Sequence, residues 1–204
     1  MLDAFLDPSF PSLKICGVTV ADDAQQLADL GVTALGVNFW PQSKRYLNPD
    51  EADFLVPLAG NILRVGVFVN AGMDLPRALF ERGWIDVVQL HGDEPEAELL
   101  GLSAAGIPVI RALGIAHAGD LEQVVGCPAR AVLLDAYAPG EYGGTGRVID
   151  WRGVGDFTAA HPDRSVVLAG GIEPNNVDEA LDMARPAAID VASGAEISPG
   201  RKDF

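Results

Sequence analysis

Cysteine is nearly missing from this chain. There are two, Cys16 and Cys127, with neither a Cys-x-x-Cys pair nor a Cys/His cluster around them. That argues against a structural zinc site and fits a reducing, cytoplasmic setting. Long apolar runs are missing too: nothing reaches the roughly 18 residues that a membrane-spanning helix needs. Positive charge is scarce, since 14 Lys and Arg stand against 29 Asp and Glu for a net charge of −15. Such a balance argues against a general nucleic-acid binder, whose affinity comes from neutralising phosphates. It also makes any anionic ligand dependent on a local positive site, although solubility is the plainer consequence of the acidity. Finally, no linker-like stretch divides the 204 residues, which suits one domain. Residues 1–12 lack the basic start and apolar centre of a signal peptide and read as a short N-terminal arm ahead of a domain at 13–204.

What is present is an ordinary globular composition, 49% hydrophobic and 21% charged. Apolar runs alternate with helical patterns. Strands are expected at 13–18, 34–39, 63–70, 86–91, 108–113, 131–137, 165–169 and 188–192. Helical patterns start near Thr19, Pro49, Leu75, Glu96, Leu121, Trp151 and Asn176. The first is expected to be capped by Thr19, with Asp22 three residues on, and ended by Gly31. Apolar residues fill consecutive strand positions, as in sheets covered on both faces, and the alternation argues for parallel βαβ units. Eight such units predict an α/β fold, a single closed (β/α)8 TIM barrel, with an open doubly wound sheet as the competitor. After the eighth strand only residues 196–204 remain, so the eighth helix is truncated or missing. The arm, with Phe5, Leu6 and Phe10, could cover the flank beside strands one and eight. A partner chain would serve equally.

In such barrels the chemistry sits at the C-terminal ends of the strands, which selects Cys16, Asn38, Gln89, His91, Asp135 and Asp190. A buried cysteine is commonly a small apolar filler. As a general base, Cys16 would need its thiol value lowered, by the following helix N-terminus or by Lys14, which shares its strand parity. Lys14 equally reads as the structural partner of a buried carboxylate. Asp135 ends the run Ala-Val-Leu-Leu and is costly there unless paired or protonated. It reads as a loop cap or as a general acid. Gly170-Gly171 after strand seven and Ser193-Gly194 after strand eight could bring backbone N–H groups to a phosphate, and Gly144-Thr145-Gly146 could add more. That last stretch reads equally as a lid or a turn. Arg45 could grip a carboxylate with two hydrogen bonds or be merely solvated. His91 reads first as a satisfied barrel histidine, and Cys127 as incidental.

Taken in order, these motifs resemble a known family. Lys14-Ile15-Cys16-Gly17, Ser43-Lys44-Arg45-Tyr46, Val88-Gln89-Leu90-His91-Gly92, Leu134-Asp135, Gly143-Gly144-Thr145-Gly146, Leu168-Ala169-Gly170-Gly171-Ile172, Asp190-Val191-Ala192-Ser193-Gly194-Ala195-Glu196 and Pro199-Gly200-Arg201-Lys202-Asp203 occur together. The set, from Leu13 to Asp203, is similar to the phosphoribosylanthranilate isomerases of tryptophan biosynthesis. The resemblance implies an Amadori rearrangement of N-(5′-phosphoribosyl)anthranilate with no metal or other cofactor. It implies Asp135 as general acid and Cys16 as general base, with Arg45 on the anthranilate carboxylate. Gln89, His91 and Asp190 would be further substrate contacts. Phosphate would be held at Gly144, Thr145, Gly146, Gly170, Gly171, Ser193 and Gly194. The implied partner is a small phosphorylated substrate, not nucleic acid or membrane, bound by a monomer or homodimer. Two rivals remain: a histidine-pathway sugar-phosphate isomerase of the same fold and a non-catalytic phosphate-binding barrel. An aspartate would be expected as base on strand one of the first, where this chain has Cys16. The intact acid, base and phosphate loops count against the second.

Overall fold

The computed structural model describes residues 1–136 and 149–204. Eight parallel strands follow one another around a closed barrel: β1 (Ser12–Cys16), β2 (Ala34–Asn38), β3 (Leu63–Phe68), β4 (Val87–Leu90), β5 (Val109–Ile115), β6 (Ala131–Ala136), β7 (Val166–Leu168) and β8 (Ala188–Val191). Closure is explicit in β1, which pairs with β2 on one side and with β8, from Ser12↔Ala188 to Ile15↔Val191, on the other. This decides against the open sheet. Around the barrel run α2 (Ala21–Asp29), a 3-10 helix at Pro49–Leu58, α3 (Asp74–Glu81), α4 (Glu96–Ala104), α5 (Glu122–Gly126), α6 (Trp151–Ala160) and α7 (Val177–Ala184). The second helical segment is 3-10 rather than α, and Pro57 lies inside it. A proline there removes a backbone donor and crowds the preceding turn.

Side chains alternate in and out along each strand. The outward set, among them Leu35, Val37, Val88, Val132, Leu134 and Val166, packs under the helices. The inward set changes character along the barrel axis. At the start of the strands it is apolar: Ala34, Leu63, Val65, Val87, Ile110, Ala131, Leu133, Val167 and Ala188 form one cluster. Two residues further on, the same parity gives Gln89, Asp135 and Asp190, and β1 adds Lys14 and Cys16. Hydrophobic burial therefore holds the lower barrel, and the upper end is left free for chemistry.

Two local expectations, for the arm and for Thr19, differ from what is found. The N-terminal arm carries α1 (Leu2–Phe5), and its Phe5 and Leu6 join the inward cluster and stopper the lower end. They do not cover the β1–β8 flank, and Phe10 is 82% exposed. An apolar ring lowered into an open barrel end buries more surface than one laid on its side, which favours the stopper. Thr19 does not cap α2, whose N-cap is Val20 without a side-chain bond. The Thr19 hydroxyl donates instead to the Gly200 carbonyl at 2.7 Å, a tertiary partner taken in preference to a local one. After β8 the chain makes a 3-10 turn at Ser193–Ala195 and an antiparallel ribbon of β9 (Glu196–Ser198) and β10 (Arg201–Lys202). That ribbon lies beside α2 at the C-terminal end of the barrel, where the Lys202 amide donates to Asp23 Oδ2 at 2.9 Å.

Candidate active site

A cavity of about 370 Å³ opens at the C-terminal ends of the strands. Among its lining residues are Cys16, Asn38, Trp40, Arg45, His91, Asp135, Gly170, Gly171, Asp190 and Ser193. Most of the expected residues thus converge. Gln89 does not line the cavity; it lies below, fully buried, with Nε2 at 2.8 Å from His91 Nδ1. Gly194 lies behind Ser193. A Cβ there would stand 2.1 Å from the Ile172 carbonyl oxygen, so glycine is what lets the loops after β7 and β8 touch. Gly144, Thr145 and Gly146 lie outside the described residues.

Cys16 is the last residue of β1, and Gly36 faces it on β2. Lys14, two residues earlier and completely buried, donates Nζ to Asp190 Oδ1 at 2.8 Å. The structural reading of Lys14 therefore holds. Burial works against its ammonium, yet the charges of Asp190 and Cys16 and the hydrogen bonds to them together outweigh burial and hold Lys14 above its ordinary range. For Cys16 the balance runs the other way. Burial, then the Asp190 carboxylate, push the thiol up, against the pull of Lys14 and Lys202. That direction is opposite to the lowering a base at neutral pH requires. Lys14 pulls in the expected direction, but burial wins.

Asp135 is anchored by its own loop: Oδ1 accepts from the Ala136 amide at 2.8 Å. Its Oδ2 lies 3.5 Å from His91 Nε2. The Gln89 amide nitrogen faces His91 Nδ1, the arrangement that suits an imidazole N–H at Nε2 turned to that carboxyl. Gln89, His91 and Asp135 therefore form a chain from the barrel floor to the cavity.

Arg45 enters from the loop after β2. Its Nε donates to both Glu196 oxygens at 2.9 and 3.0 Å, and its Nη2 to Oε2 at 2.7 Å. Glu196 also accepts from Lys202 Nζ at 2.8 Å and from the Gly200 amide at 3.2 Å. Lys202 Nζ donates in addition to the Cys16 carbonyl. The roles of Glu196 and Lys202 were missed on sequence. Their signal was two opposite charges in a tail too short for a helix, and nothing local said that they would be buried. On the phosphate side, Asn176 braces the loop after β7: its Nδ2 donates to the Gly171 carbonyl and its Oδ1 accepts from the Glu173 amide, both at 2.8 Å.

A closed eight-stranded parallel barrel with acid, thiol and glycine loops at the C-terminal mouth of its strands is the architecture of the TIM-barrel enzymes. Comparison with known proteins narrows the class. The family model described as N-(5′phosphoribosyl)anthranilate (PRA) isomerase matches residues 13–204, and the chain belongs to that family. It is 42% identical over 192 residues to the N-(5′-phosphoribosyl)anthranilate isomerase of Thermotoga petrophila, covering 94% of this chain and 92% of that one. It superposes on the crystal structure of the Thermotoga maritima phosphoribosyl anthranilate isomerase with a TM-score of 0.83 at 38% identity, over 95% and 93% of the two chains. A further solved isomerase, in complex with reduced 1-(o-carboxyphenylamino)-1-deoxyribulose 5-phosphate, matches with a TM-score of 0.79 at 36% identity, over 95% and 93%.

Proposed function

We propose that this chain catalyses the Amadori rearrangement of N-(5′-phosphoribosyl)anthranilate to 1-(2-carboxyphenylamino)-1-deoxyribulose 5-phosphate, as a step in making tryptophan. One observation carries the reading: in a member of this family, the Cys16 thiol and the Asp135 carboxyl line the same cavity from β1 and β6. In this reading Asp135, as general acid, protonates the ribose ring oxygen, and the ring opens to a Schiff base. Cys16 as thiolate takes the proton from C2′, and the resulting enolamine tautomerises to the ketone. Proximity and orientation supply much of the acceleration, because both groups stand ready on rigid strands. His91 and Gln89 hold Asp135 in place, and Lys14 stabilises the Cys16 anion while Asp190 balances Lys14.

The phosphate goes to Gly170, Gly171 and Ser193, with Gly144, Thr145 and Gly146 completing its site. The anthranilate carboxylate goes to Arg45. With Nε and Nη2 already turned to Glu196, Arg45 meets the substrate through its other edge, which fixes the guanidinium plane before binding. A monomer and a homodimer both suit this reading, since every residue named comes from one chain. A cytoplasmic setting suits its reduced thiol. Among the described residues no helix is long and apolar enough to cross a membrane.

Turnover is followed by the loss of anthranilate fluorescence. The unsubstituted chain is expected to turn over, while Cys16→Ala and Asp135→Asn lose about three orders of magnitude or more in kcat and still bind a reduced product analogue. Near-normal kcat in either variant removes that residue from its role. Absence of turnover by the unsubstituted chain rejects the activity.

A further inference from the structure

Glu196 and Lys202 have no part in the reaction as described, yet both are buried at the mouth, with side chains 3% and 1% exposed. A buried ion pair is weak evidence for stability, because the desolvation cost offsets much of the attraction. This pair also reaches beyond itself. Lys202 Nζ bridges Glu196 Oε1 and the Cys16 carbonyl, and Glu196 turns its carboxylate to Arg45. One ribbon thus ties the residue carrying the thiol to the residue carrying the guanidinium. The ribbon is itself fixed, by Lys202 N–H to Asp23, Thr19 to the Gly200 carbonyl, and the Asp203 amide to the Ala195 carbonyl at 3.1 Å.

We infer that Lys202 and Glu196 are positioning residues for the reaction: Lys202 fixes the main chain of Cys16 and lends its charge to the thiolate, while Glu196 aims Arg45 at the substrate carboxylate. The inference rests on the roles proposed above for Cys16 and Arg45. Among the described residues, the charged and titratable groups around Cys16 are Lys14 from β1, Asp190 from β8, Arg45 from the loop after β2, and Lys202 with Glu196 from the ribbon. Lys44 from the loop after β2, His91 after β4 and Asp135 on β6 line the same cavity. Lys14 and Lys202 both pull the thiol down, and the Arg45 charge also interacts with it. Removing Lys202 takes away one of these cations while burial and Asp190 stay, so the thiol should titrate higher.

The test reads that thiol directly. In a Cys127→Ser background, the rate of alkylation of Cys16 by iodoacetamide is measured against pH. Lys202→Met is expected to move the midpoint up by about one pH unit, and Lys202→Arg to keep it near the unsubstituted value. Lys202→Gln, which keeps a donor for the Cys16 carbonyl without the charge, is the second neutral variant should Lys202→Met not fold. In steady-state kinetics, Lys202→Met or Lys202→Gln lowers kcat about tenfold with KM little changed, whereas Glu196→Gln raises KM about tenfold with kcat little changed. An unmoved alkylation midpoint in a folded neutral variant overturns the role of Lys202. Equal losses in kcat and KM for both sites, tracking only the folded fraction, reduce the pair to a structural clamp and overturn the inference as well. Failure of the underlying reading looks different: Cys16→Ser would turn over normally, while in proteins that keep Cys16 the Lys202 variants still moved the alkylation midpoint.

Discussion

At Gly36 a hydrogen stands where other strand residues carry a side chain, and the space it leaves is already taken. A Cβ placed there would lie 2.8 Å from Cys16 Sγ, 2.9 Å from Lys14 Nζ and 3.1 Å from Lys14 Cε. Thiol and ammonium therefore converge over one point on the neighbouring strand, which is how Lys14 supports a charge on sulfur. Lys14 is held in place by Asp190 and cannot give way without loosening a buried ion pair. Gly36→Ala should accordingly cost activity and some stability. We expect kcat to fall about tenfold or more and stability to fall by about 1–3 kcal/mol, the strain of overpacking being only partly offset by the backbone entropy alanine regains. Steady-state kinetics beside urea unfolding checks this, and an unaltered kcat would mean that the thiol has room to move aside.

Two terminal elements show how the same barrel uses its two ends differently. The arm offers one apolar turn, and Phe5, 2% exposed, is sunk among the first inward residues of the strands. The C-terminal ribbon offers charges, and it packs behind Cys16 and Arg45, where charges have work to do. These tasks separate experimentally. Truncating a buried phenylalanine costs about 3–5 kcal/mol, so Phe5→Ala should lower the thermal midpoint by roughly 10 °C for a chain of this length. Its kcat at 25 °C, measured on folded protein, should match the unsubstituted chain, since Phe5 packs at the opposite end from the cavity. A lowered kcat without a lowered midpoint would contradict the stopper role.

For the whole molecule, acid stability follows from the sign of one shift. Burial disfavours the Glu196 carboxylate, but the hydrogen bonds and charges of Arg45 and Lys202 outweigh burial and hold its carboxyl below the ordinary glutamate range. A carboxyl whose charged form is favoured by folding contributes fully above its unfolded value and loses that contribution as pH falls through its folded value. The stability gap between the unsubstituted chain and Glu196→Gln should therefore be largest at neutral pH and shrink on acidification below about pH 4. Urea midpoints across that range measure it, and a gap independent of pH would mean that Glu196 acts through packing alone. The net charge of −15 sets the background: self-repulsion eases as other carboxylates protonate, in both proteins alike.

Much of this was legible beforehand, for a physical reason. Strands buried on both faces need continuous apolar runs, so the eight strand positions were written in composition, and fixed parity along a strand put Lys14 with Cys16 before any coordinates. Glycine pairs after the late strands marked close backbone approach in the same way. Partners distant in the chain were not legible. Thr19 carried a cap signature and bonded across the fold; the arm was given a flank and took the barrel's end; Glu196 and Lys202 stood in family motifs with no role given and became a buried clamp. The order of residues by itself determined where strands and helices lie and which side chains share a face, because those depend on neighbours along the chain. Only the tertiary structure decided which charges meet, since a pairing such as Lys14 with Asp190, 176 residues apart, exists only once β8 has closed against β1.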